Sequence, residues 1–145
     1  MEKLVFLCIG TTKITGDCLG AYVGDILLAR NVDAFVYGTS QNPVTSLNVW
    51  QYCEMIAVRH PASVTVVIDA TLGACADIGK LKISATGIKP GGAFFPDRKR
   101  VGDIGIMAVV GEANGDRMLE LKTRDREFVE NLAQKTANLL INCAF

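Results

Sequence analysis

The chain has 145 residues, a formal net charge of zero and a 50% share of hydrophobic residues, which suits a single core-forming domain over residues 1–145 and sets aside disordered chains and basic nucleic-acid binders. The one basic cluster, Arg98-Lys99-Arg100, is short enough to read as a solvated loop. No apolar run approaches the ~20 residues of a membrane span, and the start of the chain lacks the pattern of a secretory signal, so a cytoplasmic protein with neither membrane nor nucleic-acid partners is expected.

Strand 1 is predicted over Lys3 to Ile9, an apolar and β-prone run. Gly10-Thr11-Thr12 and then Gly16-Asp17-Cys18 form a small polar loop leading into helix 1, Cys18 to Arg30. Leu19, Tyr22, Val23, Ile26 and Leu27 recur at the spacing of a buried helix face, and Asn31 is a stop. Strand 2 (Ala34 to Tyr37) precedes a turn-rich loop, Gly38 to Pro43. Helix 2 is predicted over Val44 to Arg59, with Leu47, Trp50, Met55 and Val58 among its apolar positions and Pro61 beyond its end. Ser63 to Ile68 is a β-branched run typical of a strand buried on both faces, and Asp69 to Asp77 reads as the loop after it. Strand 4 is expected over Gly79 to Ala85 and strand 5 over Ile104 to Val110. The glycine- and proline-rich stretch between them, Thr86 to Gly102, is of a length that compact domains usually reserve for function. Glu112 to Asp116 reads as a turn, Arg117 to Lys122 as a short extended piece, and Thr123 as the cap of a last helix reaching Asn142, with Phe128, Leu132, Leu139 and Leu140 on one face.

The order β-α-β-α-β-β-β-α predicts a three-layer α/β/α sandwich on a mixed sheet of about five strands, with right-handed crossovers and a strand order beginning 2-1-3. Strands 1 and 3 are then neighbours at a switch point, where open sheets bind ligands beyond their carboxyl ends. Asp17 follows strand 1 and Asp69 ends strand 3, so both fall at that edge. Two carboxylates in one crevice suit general acid/base chemistry, since close neighbours share a proton, and they also suit a divalent cation. The structural alternatives stay open: Asp17 as the cap of helix 1, and Asp69 as an acceptor for loop N–H groups. Asp103 precedes strand 5 and reaches the site only if that strand runs antiparallel; otherwise it is a turn residue.

Other chemistries find little support. The five cysteines form no CxxC pair and mostly sit in apolar runs, as reduced, buried hydrophobes do. Cys75, in a polar loop, is a better nucleophile candidate than Cys18. The one histidine, His60, falls at the end of helix 2, away from the loops that would need it. No GxGxxG follows strand 1, Gly91-Gly92 is no phosphate loop, and neither a GxSxG elbow nor a zinc ligand set is present.

Five motifs in order, CIGTTKITGDCLGAYVG (Cys8 to Gly24), VYGTSQNPV (Val36 to Val44), VVIDATLG (Val66 to Gly73), IGKLKISATGIKPGGA (Ile78 to Ala93) and VGDIGI (Val101 to Ile106), resemble the sporulation protein YyaC family. That family is similar to the germination protease that degrades small acid-soluble spore proteins, and more distantly to the hydrogenase maturation proteases. The resemblance implies a phosphorylase/hydrolase-like fold. It implies a spore-associated, cytoplasmic peptidase without a cofactor or bound metal. Asp17 matches the first carboxylate of the germination protease and Asp69 the second, a catalytic aspartate pair. Thr11, Thr39 and Asp103 are candidate substrate contacts, and the partner is a protein or peptide, with small acid-soluble spore proteins as candidates. The chain departs from the hydrogenase maturation proteases in having no histidine in its later loops, with Gly105 standing where relatives can carry one. It is also much shorter than the germination protease and carries no propeptide segment. Two other outcomes remain open: a non-catalytic binding module on the same fold, and a metal-dependent maturation peptidase.

Overall fold

A computed structural model of the chain describes residues 3–90, 99–143 and 145. Five strands form one sheet in the order β2-β1-β3-β5-β4. β1 (Lys3–Cys8), β2 (Phe35–Tyr37), β3 (Ser63–Gly73) and β5 (Ile104–Glu112) are mutually parallel, and β4 (Leu81–Ser84) joins β5 antiparallel at one edge. The sheet is therefore mixed, and the strand order begins 2-1-3 as the connections require.

Two cores lie on opposite faces. On one, Phe6, Cys8, Val66, Ile68, Ile106, Ala108 and Val110 meet Leu19, Val23 and Leu27 of α1 (Leu19–Ala29) and Val129, Leu132, Ala133, Ala137 and Leu140 of α4 (Arg126–Asn142). On the other, Val5, Leu7, Ile9 and Val67 meet Val49 and Ile56 of α2 (Val49–Arg59), with Ile88 and Val101 closing the same cluster. The strict alternation along β1 and β3 divides the side chains between the two faces. This is the α/β/α sandwich expected.

α1 lies unusually close to the strands because of its glycines. A Cβ on Gly20 would stand 1.9 Å from the Ile9 carbonyl oxygen, and one on Gly24 1.8 Å from that of Gly38. The helix thus rests directly on the carboxyl ends of β1 and β2, which fixes where the preceding turn sits.

Several boundaries differ from the sequence reading. α2 begins at Val49 because Val44 bridges Ile9 in parallel and is fully buried. Thr45 to Asn48 is a turn whose Asn48 side chain accepts from Thr45 N at 2.7 Å and donates to Pro43 O at 3.1 Å. Leu47 and Val58 are exposed, so the apolar face of α2 is narrower than hydropathy suggests. Arg117–Lys122 is a helix, α3, capped by the Asp116 carboxylate accepting from Leu119 N at 3.1 Å. α4 starts after Asp125, and Thr123 instead ends α3 by donating to Leu119 O at 2.8 Å. On α4 the buried stripe includes Val129 and Ala133, while Leu139 faces outward.

Within the stretch Thr86 to Gly102, residues 91–98, including Gly91-Gly92 and Arg98, lie outside the described residues. Its described ends are drawn together by the Ile88–Val101 bridge. Arg100 donates to Thr86 O at 2.9 Å, to Gly87 O at 2.7 Å and to Ser84 Oγ at 3.1 Å, so its guanidinium ties the two ends of this stretch together.

Candidate active site

β1 stops opposite Ile68, with Ile9 N donating to Ile68 O at 2.8 Å as its last contact with β3. β3 continues: Asp69 to Gly73 pair with β5 alone, beginning with Asp69 opposite Met107. Asp69 is therefore a strand residue, where the sequence suggested the start of a loop, because β5 extends the ladder past the end of β1. It is the first β3 position without a β1 neighbour, at the switch point of the sheet. Its side chain is buried, on the face shared with Thr65 and Val67.

Asp17 is held at this edge by a folded-back loop, near enough for its charge to act on Asp69. Gly10 N donates to Val44 O at 2.8 Å, Thr11 N to Asp17 O at 3.0 Å, Asp17 N to Ile14 O at 2.9 Å, and Cys18 Sγ to Ile14 O at 3.3 Å. The result is a single 3₁₀ turn, Thr15–Cys18, ahead of α1. Gly10 and Gly16 allow the tight approach: a Cβ on Gly10 would lie 2.6 Å from Asp17 O, and one on Gly16 2.9 Å from Leu121. The residue before α1 is Cys18, and no side chain caps that end, so the Asp17 carboxylate is not engaged as a helix cap.

Asp69 feels the charge of Asp17. Burial pushes Asp17 up to about 6. Asp69 is raised well above the ordinary carboxylate range, first by burial and then by the negative charge of Asp17; an Ala70 N–H donating to its Oδ1 at 2.8 Å opposes this. The charge of an ionised Asp17 favours the protonated form of Asp69, a bias toward one proton held between the two groups. Among the described residues, no group of three or more His, Cys, Asp or Glu side chains is arranged to hold a metal ion.

Of the other candidates, Thr11 and Thr39 share this edge of the sheet. Thr11 is half-buried, and its Oγ1 accepts from Lys13 N at 3.4 Å. Thr39, just past β2, closes a turn by accepting from Asn42 N at 3.1 Å. Asp103 does not join them. β5 runs parallel to β3, so its start lies at the opposite edge, where Asp103 Oδ2 accepts from Thr65 N at 2.8 Å and its own N–H donates to Thr65 O at 2.8 Å. There it borders a cleft of about 260 Å³ with Cys53, His60 and Ser63. The condition for Asp103 to reach the aspartate pair, an antiparallel β5, is not met.

His60 lies at that far edge too, bonded through Nε2 to the Tyr37 hydroxyl at 2.7 Å and stacked on Phe35. No histidine serves the thiols. Cys8 and Cys18 are buried with their thiols pushed up by burial, as is that of half-buried Cys53, which leaves them inert; Cys75 and Cys143 are exposed, contrary to a uniformly buried set.

Sequence reasoning missed a larger cleft of about 620 Å³ at the carboxyl end of β2, bounded by Asp25 and Leu28 of α1, Tyr52 of α2 and the loop Gly38 to Asn42. Nothing in the sequence marks Asp25, a lone acid between Gly24 and Ile26; only its pairing with the loop reveals it.

The family model for proteins of unknown function designated DUF1256 matches residues 1–138. The chain belongs to the DUF1256 family. It is 32% identical over 137 residues to the uncharacterized protein YyaC of Bacillus subtilis (strain 168), covering 94% of this chain and 67% of that one. Similar solved structures include an uncharacterized protein from Wolinella succinogenes (TM-score 0.56, 13% identity, covering 97% of this chain and 94% of that one). The [NiFe] hydrogenase maturation protease HycI from Thermococcus kodakarensis KOD1 is similar with a TM-score of 0.51 and 17% identity, covering 97% of this chain and 94% of that one. The hydrogenase 3 maturation protease is similar with a TM-score of 0.54 and 12% identity, covering 96% of this chain and 89% of that one. This DUF1256 member therefore has the fold of the hydrogenase maturation proteases. No helix among its described residues is long and apolar enough to cross a membrane.

Proposed function

We propose that this DUF1256 protein is a peptidase whose catalytic groups are Asp17 and Asp69, acting on protein or peptide substrates. The observation that carries the reading is the placement of a buried Asp69, raised by burial and by the charge of Asp17, at the first position of β3 that no longer pairs with β1. In the reactive state Asp17 is ionised and Asp69 protonated. Asp17 takes a proton from water as the water oxygen bonds to the peptide carbonyl carbon, and Asp69 donates its proton to the carbonyl oxygen. Collapse of the tetrahedral intermediate breaks the C–N bond, with the proton on Asp17 passing to the leaving amine and that of the gem-diol hydroxyl returning to Asp69. The fold shared with proteins named as maturation proteases supports hydrolysis at this edge. The resemblance of the Asp17 and Asp69 motifs to those of the germination protease supports a role in the sporulating cell or spore, with small acid-soluble spore proteins as first substrates to try.

The test is incubation of purified protein with small acid-soluble spore proteins and with an unfolded protein such as casein, with and without EDTA, beside Asp17→Asn. Cleavage that resists EDTA and falls by about a thousandfold or more in the variant is expected, since the general base is lost. Undiminished cleavage by Asp17→Asn contradicts the mechanism. Cleavage abolished by EDTA points instead to a metal-dependent peptidase, and no cleavage of any substrate to a binding module. Activity is also expected to rise with pH through about 6 as Asp17 ionises, and to fall as Asp69, raised well above the ordinary carboxylate range, loses its proton. A kcat/KM profile on a fluorogenic peptide checks this; an optimum near pH 3, as for an unperturbed acidic pair, contradicts it.

A further inference from the structure

The cleft of about 620 Å³ beside β2 has a built polar end. Among the described residues that line it, Asp25 is the charged one. The Ser40 N–H donates to Asp25 Oδ1 at 3.0 Å and the Ser40 hydroxyl donates to Oδ2, so the loop holds the carboxylate in place and leaves lone pairs on both oxygens unused. Tyr37, whose hydroxyl is bonded to His60, and Tyr52 also line the cleft, with ring centroids 6.1 Å apart and planes at 56°. An acid held at one end of an aromatic-walled cleft matches a basic side chain: the carboxylate takes the cation, and the rings take its aliphatic stem or guanidinium face. The cleft opens at the carboxyl end of β2, the edge that holds Asp17 and Asp69. Two strand spacings, about 10 Å, separate β2 from β3, a span of two or three residues of extended peptide.

We propose that this cleft is a specificity subsite that binds an arginine or lysine side chain of a peptide substrate, two or three residues from the bond cut at Asp17 and Asp69. The position relative to the scissile bond rests on the peptidase reading; the recognition of a basic side chain does not. The test therefore has two arms. In the first, ¹⁵N-labelled protein is titrated with hexapeptides carrying a central Arg, Glu or norleucine, and with acetyl-arginine amide. Saturable shifts at the Thr39, Ser40 and Gln41 amides are expected for the Arg peptide, with binding at least about tenfold weaker for the Glu peptide. Asp25→Asn and Gln41→Lys are expected to weaken the Arg peptide by a similar factor; Gln41 is exposed, so the second variant adds a competing cation without disturbing the fold. Equal binding of the three peptides, or Arg binding indifferent to both variants, overturns the proposal. Binding of acetyl-arginine amide as tightly as the hexapeptide overturns the subsite, because the cleft then takes a free cation. In the second arm the same residues are scanned through fluorogenic peptides. Cleavage favouring Arg two or three positions from the cut, lost in Asp25→Asn, is expected. Cleavage without any basic preference overturns the subsite and leaves the peptidase reading standing; Arg binding without cleavage of any peptide does the reverse.

Discussion

Asp69→Asn is expected to abolish cleavage and, at the same time, to raise the melting temperature at neutral pH. The first effect follows because the amide carries no transferable proton for the carbonyl oxygen. The second follows from linkage. Both acids are raised above their ordinary 3.8, Asp17 to about 6 and Asp69 well above that ordinary value. The folded state therefore holds protons that the unfolded chain has released. Their contribution to stability is fully present below about pH 4, and is lost as pH rises through about 6 for Asp17 and through the raised range of Asp69. For Asp17 the shift corresponds to about 3 kcal/mol at most, nearer 2 once its partial exposure is allowed for. Asp69→Asn removes the cost that Asp69 itself carries at neutral pH as a buried carboxyl beside the Asp17 charge, so a gain of roughly 5 °C is expected at pH 7.5, and little or none at pH 4. Thermal melts of wild type and variant at the two pH values check it. A variant less stable than wild type at pH 7.5 contradicts the account of Asp69 as a strained functional group, and makes it a structural acceptor for Ala70 N–H.

Gly20→Ala is expected to cost at least about 3 kcal/mol or to prevent folding. The new methyl group would lie 1.9 Å from the Ile9 carbonyl oxygen and 2.5 Å from its carbon, both backbone atoms within the core that cannot turn aside. Either β1 is pushed from its register with β3 or α1 lifts away, and both movements displace the turn that carries Asp17. Gly73→Ala is the control: its methyl would meet Val109 Cγ1 at 3.3 Å, a side chain that can give slightly, and a change of at most about 1 kcal/mol is expected. Urea denaturation of the two variants reads the difference. A Gly20→Ala protein as stable as Gly73→Ala would show that α1 is not seated on β1 as described.

The layers and strand order were legible because they follow from periodicity and handedness. The β-branched run of β3 and the helical spacing of Leu19, Val23 and Leu27 leave few alternatives. Legibility failed where a partner strand or a local turn decides. Val44 looks helical in sequence but is drawn into a bridge with Ile9. Asp69 to Gly73 look like a loop until β5 is placed beside them. Arg117–Lys122 has no long apolar stripe, and its helix depends on the Asp116 cap. At the site, Asp17 and Asp69 could be placed at one sheet edge from topology, whereas their electrostatic coupling is a property of three dimensions. Asp103 turned on the direction of β5, which no local pattern states. Asp25 and its cleft were invisible because their meaning lies in the contact with Ser40, fifteen positions away.

The most direct test of the central claim, a proton shared between two acids of unequal strength, is a ¹³C NMR titration of the aspartate carboxyl carbons, assigned with Asp17→Asn and Asp69→Asn. The expected result is a step near pH 6 for Asp17 and one well above the ordinary 3.8 for Asp69, with Asp69 titrating lower when Asp17 is replaced. Independent titration of both near the ordinary 3.8, each unmoved by loss of the other, would contradict the pair and with it the catalytic reading.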